Sequence, residues 1–111
     1  MSDCLFCKIA AGEIPSKQLH SDDHVVAFYD IAPEAPHHFL VIPRNHFTDV
    51  AELAADAELS AHLLAVATSL AEQEIEGGYR LVFNTGANGG QTVFHAHLHV
   101  LGGRSLQWPP G

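Results

Sequence analysis

The alternation of histidine with apolar residues near the C-terminus constrains the fold of this chain more than any other feature. The segment His95-Ala96-His97-Leu98-His99-Val100-Leu101 places a histidine at every second position and an apolar residue after each one. Alternate side chains of a β-strand project from opposite faces of the sheet. The segment therefore predicts a strand over residues 93–101, with three imidazoles on one face and an apolar face against the core.

The apolar runs at residues 24–29 and 39–42 predict two further strands, because a proline-containing connection separates them. Residues 79–84 are rich in residues that favour β-structure and predict a fourth strand. Short connections of this kind are typical of antiparallel pairs. We therefore expect a mainly antiparallel sheet.

Two helices are predicted. Apolar residues recur every three or four positions over residues 56–75, which is the period of one long amphipathic helix. Residues 4–11 predict a short N-terminal helix that ends at Gly12. Strands combined with one long helix indicate an α+β fold, and a length of 111 residues suits a single domain spanning residues 1–111.

Charge and hydropathy exclude several classes of protein. A net charge of -8 repels a phosphate backbone, so we expect no general nucleic-acid binding. The longest apolar stretch is far shorter than the roughly 20 residues that a membrane-spanning helix needs. The N-terminus has no basic region followed by an apolar run, which is the pattern of a secretory signal. We expect a cytoplasmic protein with no membrane partner.

Nine histidines among 111 residues direct attention to imidazole chemistry. Three histidines on one strand face have three interpretations: polar residues on the solvated side of a strand, a metal cluster, or phosphoryl or nucleotidyl transfer. In the last of these, a neutral imidazole attacks phosphorus while its neighbours hold the oxygens. An imidazole pKa near 6.5 suits each of these roles near neutral pH.

The glycine-rich segment at residues 85–91 supports the phosphate interpretation, since glycine lets backbone N–H groups approach an anion closely. An ordinary tight connection is the alternative. Asn84 before the loop and Thr92 after it add uncharged donors. Such donors suit a chain with only five basic residues.

The Cys4-Leu5-Phe6-Cys7 segment also has more than one interpretation: a redox pair, half of a zinc site, or two unrelated thiols. Redox motifs of this form normally follow a strand, and none is predicted before Cys4. A tetrahedral zinc site needs two more ligands, and His46 and His95 are available.

Several segments together resemble the histidine triad (HIT) superfamily. The alternating histidine segment is similar to its signature, three histidines separated by hydrophobic residues. Residues 28–31, 38–43, 89–91 and 101–104, together with the Trp-Pro-Pro-Gly ending at 108–111, resemble the histidine triad nucleotide-binding (Hint) branch. The resemblance covers nearly the whole chain. It implies a HIT-like fold and a homodimer.

The resemblance also implies catalytic roles. His97 corresponds to the nucleophile, and His99 to a residue that contacts the phosphate or assists proton transfer. His38 corresponds to a histidine that hydrogen-bonds and orients the nucleophilic imidazole. Thr92 stands where relatives often have serine, and its hydroxyl is expected on the leaving-group side.

The nucleotide site implied by the resemblance has three parts. Asp30 corresponds to the carboxylate that binds the ribose hydroxyls, and Asn84 to a phosphate ligand. Backbone amides near Gln91 and Val93 are expected to hold phosphate oxygens, and Trp108 to reach the active site of the neighbouring subunit. The expected base pocket consists of Phe6, Ile14, Phe28 and Ile31.

Some superfamily members resemble this chain in having a Cys-x-x-Cys pair together with two such histidines. The resemblance therefore implies a structural zinc on Cys4, Cys7, His46 and His95, with no cofactor required for catalysis. The alternative is a reduced, buried thiol pair.

The expected activity is that of a purine nucleoside phosphoramidase, which cleaves the P–N bond of an adenosine 5′-phosphoramidate through a nucleotidyl-histidine intermediate. The expected products are AMP and an amine. The alternatives are a dinucleoside polyphosphate hydrolase, a nucleotide-binding interaction module with incidental turnover, and a metal-dependent phosphodiesterase.

Overall fold

A five-stranded antiparallel sheet forms the centre of the computed structural model, which describes residues 3–111. The strands are β1 (Gln18–Ser21), β2 (Val25–Tyr29), β3 (His37–Pro43), β4 (Tyr79–Val82) and β5 (Leu98–Gly102). Their order across the sheet is β1-β2-β3-β5-β4, and every neighbouring pair is antiparallel. The α+β class and the antiparallel sheet are therefore confirmed.

The helices are α1 (Leu5–Ala10), α2 (Val50–Ala54) and α3 (Ala57–Glu74). The long helix α3 begins after Asp56, whose carboxylate accepts a hydrogen bond of 3.0 Å from the amide of Leu59. The five-residue helix α2 is not predicted from the sequence, because so short a segment shows no clear period. Among the described residues, no helix has both the length and the apolar character needed to cross a membrane.

The sheet separates two apolar cores because successive strand residues face opposite sides. One face packs against α3 and α2 through residues such as Phe39, Leu98 and Val100, all at most 1% exposed. The other face packs against α1, with Phe6 of that helix meeting Phe28 and further apolar residues of β2 and β3. The short helix α1 is thus the only helix on the second face within the described residues, and Ile14 and Val93 from loops also pack there.

Strand β5 is shorter than predicted, since it begins at Leu98 rather than at residue 93. Its ladder partner β3 ends at Pro43, which has no backbone N–H to donate. Before β5 the backbone bonds to a loop instead, and the amide of Ala96 donates to the carbonyl of Phe47 at 2.7 Å. The predicted alternation nevertheless continues through this segment, because Ala96 packs in the same core as Leu98.

Candidate active site

The three alternating histidines lie on the face of the sheet that α1 covers. The rings of His97 and His99 have centroids 4.9 Å apart, and the Phe6 ring contacts His97 edge-on at 4.9 Å. His38 joins them because strands β3 and β5 are neighbours, and its Nε2 lies 2.9 Å from Nδ1 of His99. The three histidines therefore share one face of the sheet, as their alternation with apolar residues predicts.

Hydrogen bonding defines which nitrogen of His97 carries the proton. Nδ1 of His97 lies 2.8 Å from the backbone carbonyl oxygen of His95. A carbonyl only accepts hydrogen bonds, so Nδ1 is the protonated nitrogen and Nε2 keeps a lone pair. His97 is 7% exposed and lines a cleft, so this lone pair belongs to a fixed, dehydrated imidazole at the cleft wall.

A second chain of hydrogen bonds fixes His38 and His99. The backbone amide of Glu34 donates to Nδ1 of His38 at 3.0 Å, so Nε2 of His38 carries the proton and donates to Nδ1 of His99. His99 then keeps its own proton on Nε2. The prediction that His38 bonds the nucleophilic imidazole was wrong, because the register of β3 and β5 places His38 beside His99 and the His95 carbonyl occupies Nδ1 of His97.

Burial lowers the pKa of two of these imidazoles, which favours their neutral form. It lowers the pKa of His97 below 6.5, although the His95 carbonyl and the Asp30 carboxylate oppose the shift. Burial also lowers the pKa of His99 to about 4, and the neighbouring His97 and His38 add to this effect while Asp30 opposes it. A neutral imidazole at pH 7 is the form that nucleophilic attack requires.

A cleft of about 560 Å³ lies in front of the histidines. Nine of the predicted site residues line it: Phe6, Ile14, Phe28, Asp30, Ile31, Thr92, Val93, His97 and His99. Sequence reasoning missed Leu5, Ile9 and Leu40, which line the same cleft. The helical and strand periods at these positions indicated only a buried face, and nothing in the sequence separated the cleft wall from the core.

Asp30 sits at the cleft where β2 ends, and its two carboxylate oxygens have different surroundings. Oδ1 accepts a hydrogen bond of 2.8 Å from the amide of Ala32 and so stabilises the turn. Oδ2 lies 3.5 Å from Nε2 of His38 and forms an ion pair with it when His38 is protonated. Asp30 can therefore stabilise the turn through Oδ1 and still present Oδ2 at the cleft.

Three predicted nucleotide ligands do not line the cleft. Gln91 is 5% exposed, and its amide is occupied by loop contacts, with Oε1 accepting from Gly86 N–H at 3.0 Å and Nε2 donating to the Thr48 carbonyl at 2.7 Å. Asn84 lies beside Gly90 in the same loop. Trp108 is 82% exposed. The Gln91 side chain therefore stabilises the loop. Trp108 was expected to reach the active site of the neighbouring subunit, not that of its own chain.

The four predicted metal ligands also meet. Ligand atoms of Cys4, Cys7, His46 and His95 all lie within 4.8 Å of one another. Nδ1 of His95 is 3.3 Å from Sγ of Cys4, and Sγ of Cys7 is 3.4 Å from Nδ1 of His46. Sulfur and nitrogen ligands of a tetrahedral zinc ion are about 3.5 Å apart, given the usual bond lengths.

The protonation of His95 also suits a metal. Its Nε2 lies 2.8 Å from the carbonyl oxygen of Pro43 and must donate to it, which leaves the lone pair on Nδ1, the atom facing the sulfurs. Two thiols and two imidazoles form a known donor set for structural zinc. The residues present therefore fit a zinc ion.

Three further histidines, His20, His24 and His62, belong to none of the sequence motifs. His20 and His62 each place Nε2 2.7 Å from Oδ2 of Asp22, which links the turn after β1 to helix α3. Oδ1 of Asp22 accepts from the amides of His24 and Val25. Because the His62 contact joins residues 40 positions apart, the sequence carried no signal for this link to α3.

Comparisons with known proteins agree with this geometry. The family model of the HIT domain matches residues 11–106. An uncharacterised HIT-like protein from Synechococcus elongatus is 50% identical over 98% of this chain and 97% of its own length. A 14 kDa zinc-binding protein from Zea mays is 46% identical over 99% of this chain and 89% of its own length.

Solved structures agree as well. The crystal structure of a HIT family hydrolase from Legionella pneumophila superposes with a TM-score of 0.94 at 51% identity, covering 98% of this chain and all of that one. The fold and the histidine cluster define a protein of the histidine triad type. This chain belongs to the HIT family.

Proposed function

We propose that this protein is a hydrolase that cleaves the P–N bond of adenosine 5′-phosphoramidates and releases AMP and an amine. One observation supports this most directly: the buried His97 donates from Nδ1 to a carbonyl and presents an unprotonated Nε2 at the wall of the cleft. The HIT family hydrolase of Legionella pneumophila, similar over its whole length, supports hydrolysis as the general activity.

The reaction has two displacements at phosphorus. The Nε2 lone pair of His97 attacks the α-phosphorus, the P–N bond of the substrate breaks, and the amine leaves with a proton taken from water. Water then attacks the nucleotidyl-histidine and gives its proton to the hydroxide left by the first step, the bond from phosphorus to Nε2 breaks, and AMP leaves. The attack needs the neutral imidazole that burial of His97 favours, and the second step regenerates it.

His99 and His38 act on the charge of the phosphoryl group. His38 donates to Nδ1 of His99, so the remaining N–H of His99 is available to a phosphoryl oxygen in the cleft. Backbone amides near Gln91 and Val93, together with Asn84, are proposed to hold the other oxygens. The exposed hydroxyl of Thr92 lies at the cleft rim and is proposed to contact the leaving amine.

The rest of the cleft suits a nucleoside. Oδ2 of Asp30 is proposed to accept hydrogen bonds from the ribose hydroxyls, since only its Oδ1 is used by the turn. A purine is proposed to lie among the apolar side chains of the cleft, which are Phe6, Ile14, Phe28 and Ile31.

Zinc on Cys4, Cys7, His46 and His95 is proposed as a structural ion that supplies cross-linking between α1 and the segment before β5. The 14 kDa zinc-binding protein of Zea mays supports zinc as the metal. Mass spectrometry of protein purified without added metal is expected to give about one zinc per chain. A content near zero would contradict the proposal.

The proposed function is tested by trapping the intermediate. Wild-type protein mixed rapidly with adenosine 5′-phosphoramidate and quenched is expected to gain the mass of one adenylyl group on His97, detected by peptide mass spectrometry. The variant His37→Ala is the control, and it should still gain the adenylyl group. His37 lies next to His38 on β3 and does not line the cleft.

Two outcomes would redirect the proposal. Faster turnover of a dinucleoside polyphosphate than of the phosphoramidate would favour the alternative hydrolase. Tight AMP binding without any labelling of His97 or turnover would favour a nucleotide-binding module.

A further inference from the structure

Helix α1 contributes to the metal-ligand cluster and to the cleft at the same time. Cys4 and Cys7, at the start and in the first turn of the helix, face His95, while Phe6 between them lines the cleft. The Phe6 ring meets His97 at 4.9 Å and Phe28 at 5.6 Å, both edge-on. One residue of a Cys-x-x-Cys segment thus forms part of the proposed base pocket.

The two ends of α1 are held by different groups. At the C-terminal end, Nη1 of Arg44 donates to the carbonyl of Ala10 at 2.6 Å. At the N-terminal end, the polar contacts to distant residues include those from the sulfurs of Cys4 and Cys7 to His46 and His95. Six residues are too few for a helix to be stable alone, so the position of its first turn depends on these contacts and on the packing of Phe6.

The hydrogen bonds that hold the nucleophile do not involve the sulfurs, although the Phe6 ring of α1 also contacts His97. Nδ1 of His97 donates to a backbone carbonyl, and that backbone is fixed by the Ala96 amide, which donates to the Phe47 carbonyl at 2.7 Å. The His95 ring is also tied to the Pro43 carbonyl at 2.8 Å. None of these hydrogen bonds involves α1, so they persist when the sulfurs have no metal to bind.

We propose that metal occupancy of the Cys4, Cys7, His46 and His95 cluster controls nucleotide affinity through Phe6 and leaves the chemical step unchanged. This proposal rests on the proposed function, because it concerns the same cleft. With metal bound, the first turn of α1 holds the Phe6 ring against the base. Without metal, that turn loosens and the base loses one aromatic contact, while His97 keeps its position and tautomer.

The experiment compares zinc-loaded wild type, the same protein stripped by a chelator, and the stripped protein reloaded with zinc. Stripping is expected to weaken AMP binding by about tenfold in calorimetry, the size of one aromatic contact. The KM for adenosine 5′-phosphoramidate should rise by the same factor, and kcat should stay within about twofold. Hydrogen exchange of the α1 amides should quicken on stripping, and reloading should reverse every change.

Two variants show whether Phe6 carries the effect. In Phe6→Leu, the AMP affinities of the loaded and stripped forms should differ by less than about threefold, although both are weaker than in the loaded wild type. In the double variant Cys4→Ser, Cys7→Ser, the affinity should match that of the stripped wild type, and the chelator should change nothing. The reversible stripping of the wild type gives the same test if the double variant does not fold.

The outcomes separate this proposal from the proposed function. Equal AMP affinities in loaded and stripped wild type would overturn the coupling and leave the hydrolase intact. An undiminished effect of stripping in Phe6→Leu, or a fall in kcat with unchanged KM, would also overturn it. Failure of the loaded wild type to bind AMP at all would overturn both proposals.

Discussion

At the scale of single residues, backbone carbonyls decide which nitrogen of His95 and of His97 keeps its lone pair. The His95 carbonyl directs the lone pair of His97 to Nε2, and the Pro43 carbonyl directs the lone pair of His95 to Nδ1. Two neighbouring histidines of the same motif thereby have their lone pairs in different surroundings. The lone pair of His97 lies at the cleft, where we propose that it attacks phosphorus, and that of His95 faces two sulfurs, where we propose that it binds a metal.

The low pKa of His99 predicts a dependence of stability on pH. As the pH falls below 6.5, the unfolded chain takes up a proton at this residue, whereas the folded protein does so only near pH 4. The contribution of His99 to the free energy of unfolding is therefore complete above pH 6.5 and is lost between pH 6.5 and 4. Urea unfolding of wild type and His99→Gln across this range measures it.

The expected difference is a shallower loss of stability in His99→Gln. The change in slope should be a fraction of the roughly 1.4 kcal/mol per pH unit that one proton contributes, because solvent screens this partly exposed ring. Parallel stability curves for the two proteins would show that His99 titrates alike in the folded and unfolded states.

At the scale of secondary-structure elements, side chains distant in sequence attach the strands and helices to one another. Asp22 links the turn after β1 to α3 through His20 and His62. Arg44, at the end of β3, reaches back to the carbonyl of Ala10 in α1. These contacts lie away from His97: Arg44 holds α1 on the cleft side of the sheet, and Asp22 holds α3 on the opposite face.

Substituting Asp22 tests one of these links. Although burial alone would raise the pKa of Asp22, hydrogen bonds from His20, His62 and the amides of the turn lower it well below 3.8. Its contribution is therefore present above about pH 3.8 and is lost as the pH falls further. At pH 7, Asp22→Asn should lower the free energy of unfolding by about 1–2 kcal/mol, measured by urea unfolding, because charged hydrogen bonds are weakened.

Asp23→Asn is the matched control, since Asp23 is the exposed neighbour of Asp22. It should change stability by less than about 0.5 kcal/mol. Equal effects of the two substitutions would mean that net charge, and not the link to α3, accounts for the loss.

Local patterns explain which features were predictable. The period of two at residues 95–99 and the spacing of Cys4 and Cys7 are properties of short segments, so the triad face and half of the ligand set followed from the sequence. The partner of His38 and the use of the Gln91 amide depend on strand register and loop closure. Those contacts join distant residues, and no local period encodes them.

At the scale of the whole molecule, the layers place the cleft between α1 and the sheet, while α3 lies on the opposite face. We propose a homodimer, and two features, one at the sheet edge and one on α3, support it. Within the described residues β4 has a neighbouring strand on one side only, and Leu64 on α3 is 44% exposed. The exposed Trp108 is proposed to reach the partner's active site.

The dimer predicts a mass in solution of about twice 12.0 kDa. Sedimentation equilibrium measures it directly, and Trp108→Ala should retain the dimer mass while altering the preference among leaving amines. A mass of one chain at micromolar concentration would contradict the dimer, and it would also remove the proposed role of Trp108.

The central claim is that Nε2 of His97 attacks phosphorus without help from a metal. The most direct measurement is AMP release from saturating adenosine 5′-phosphoramidate by wild type and His97→Ala, each with and without chelator. We expect wild-type turnover to survive chelation and to fall by at least about a thousandfold in His97→Ala, because the nucleophile is lost. Turnover that disappears on chelation, or that persists in His97→Ala, would contradict the account.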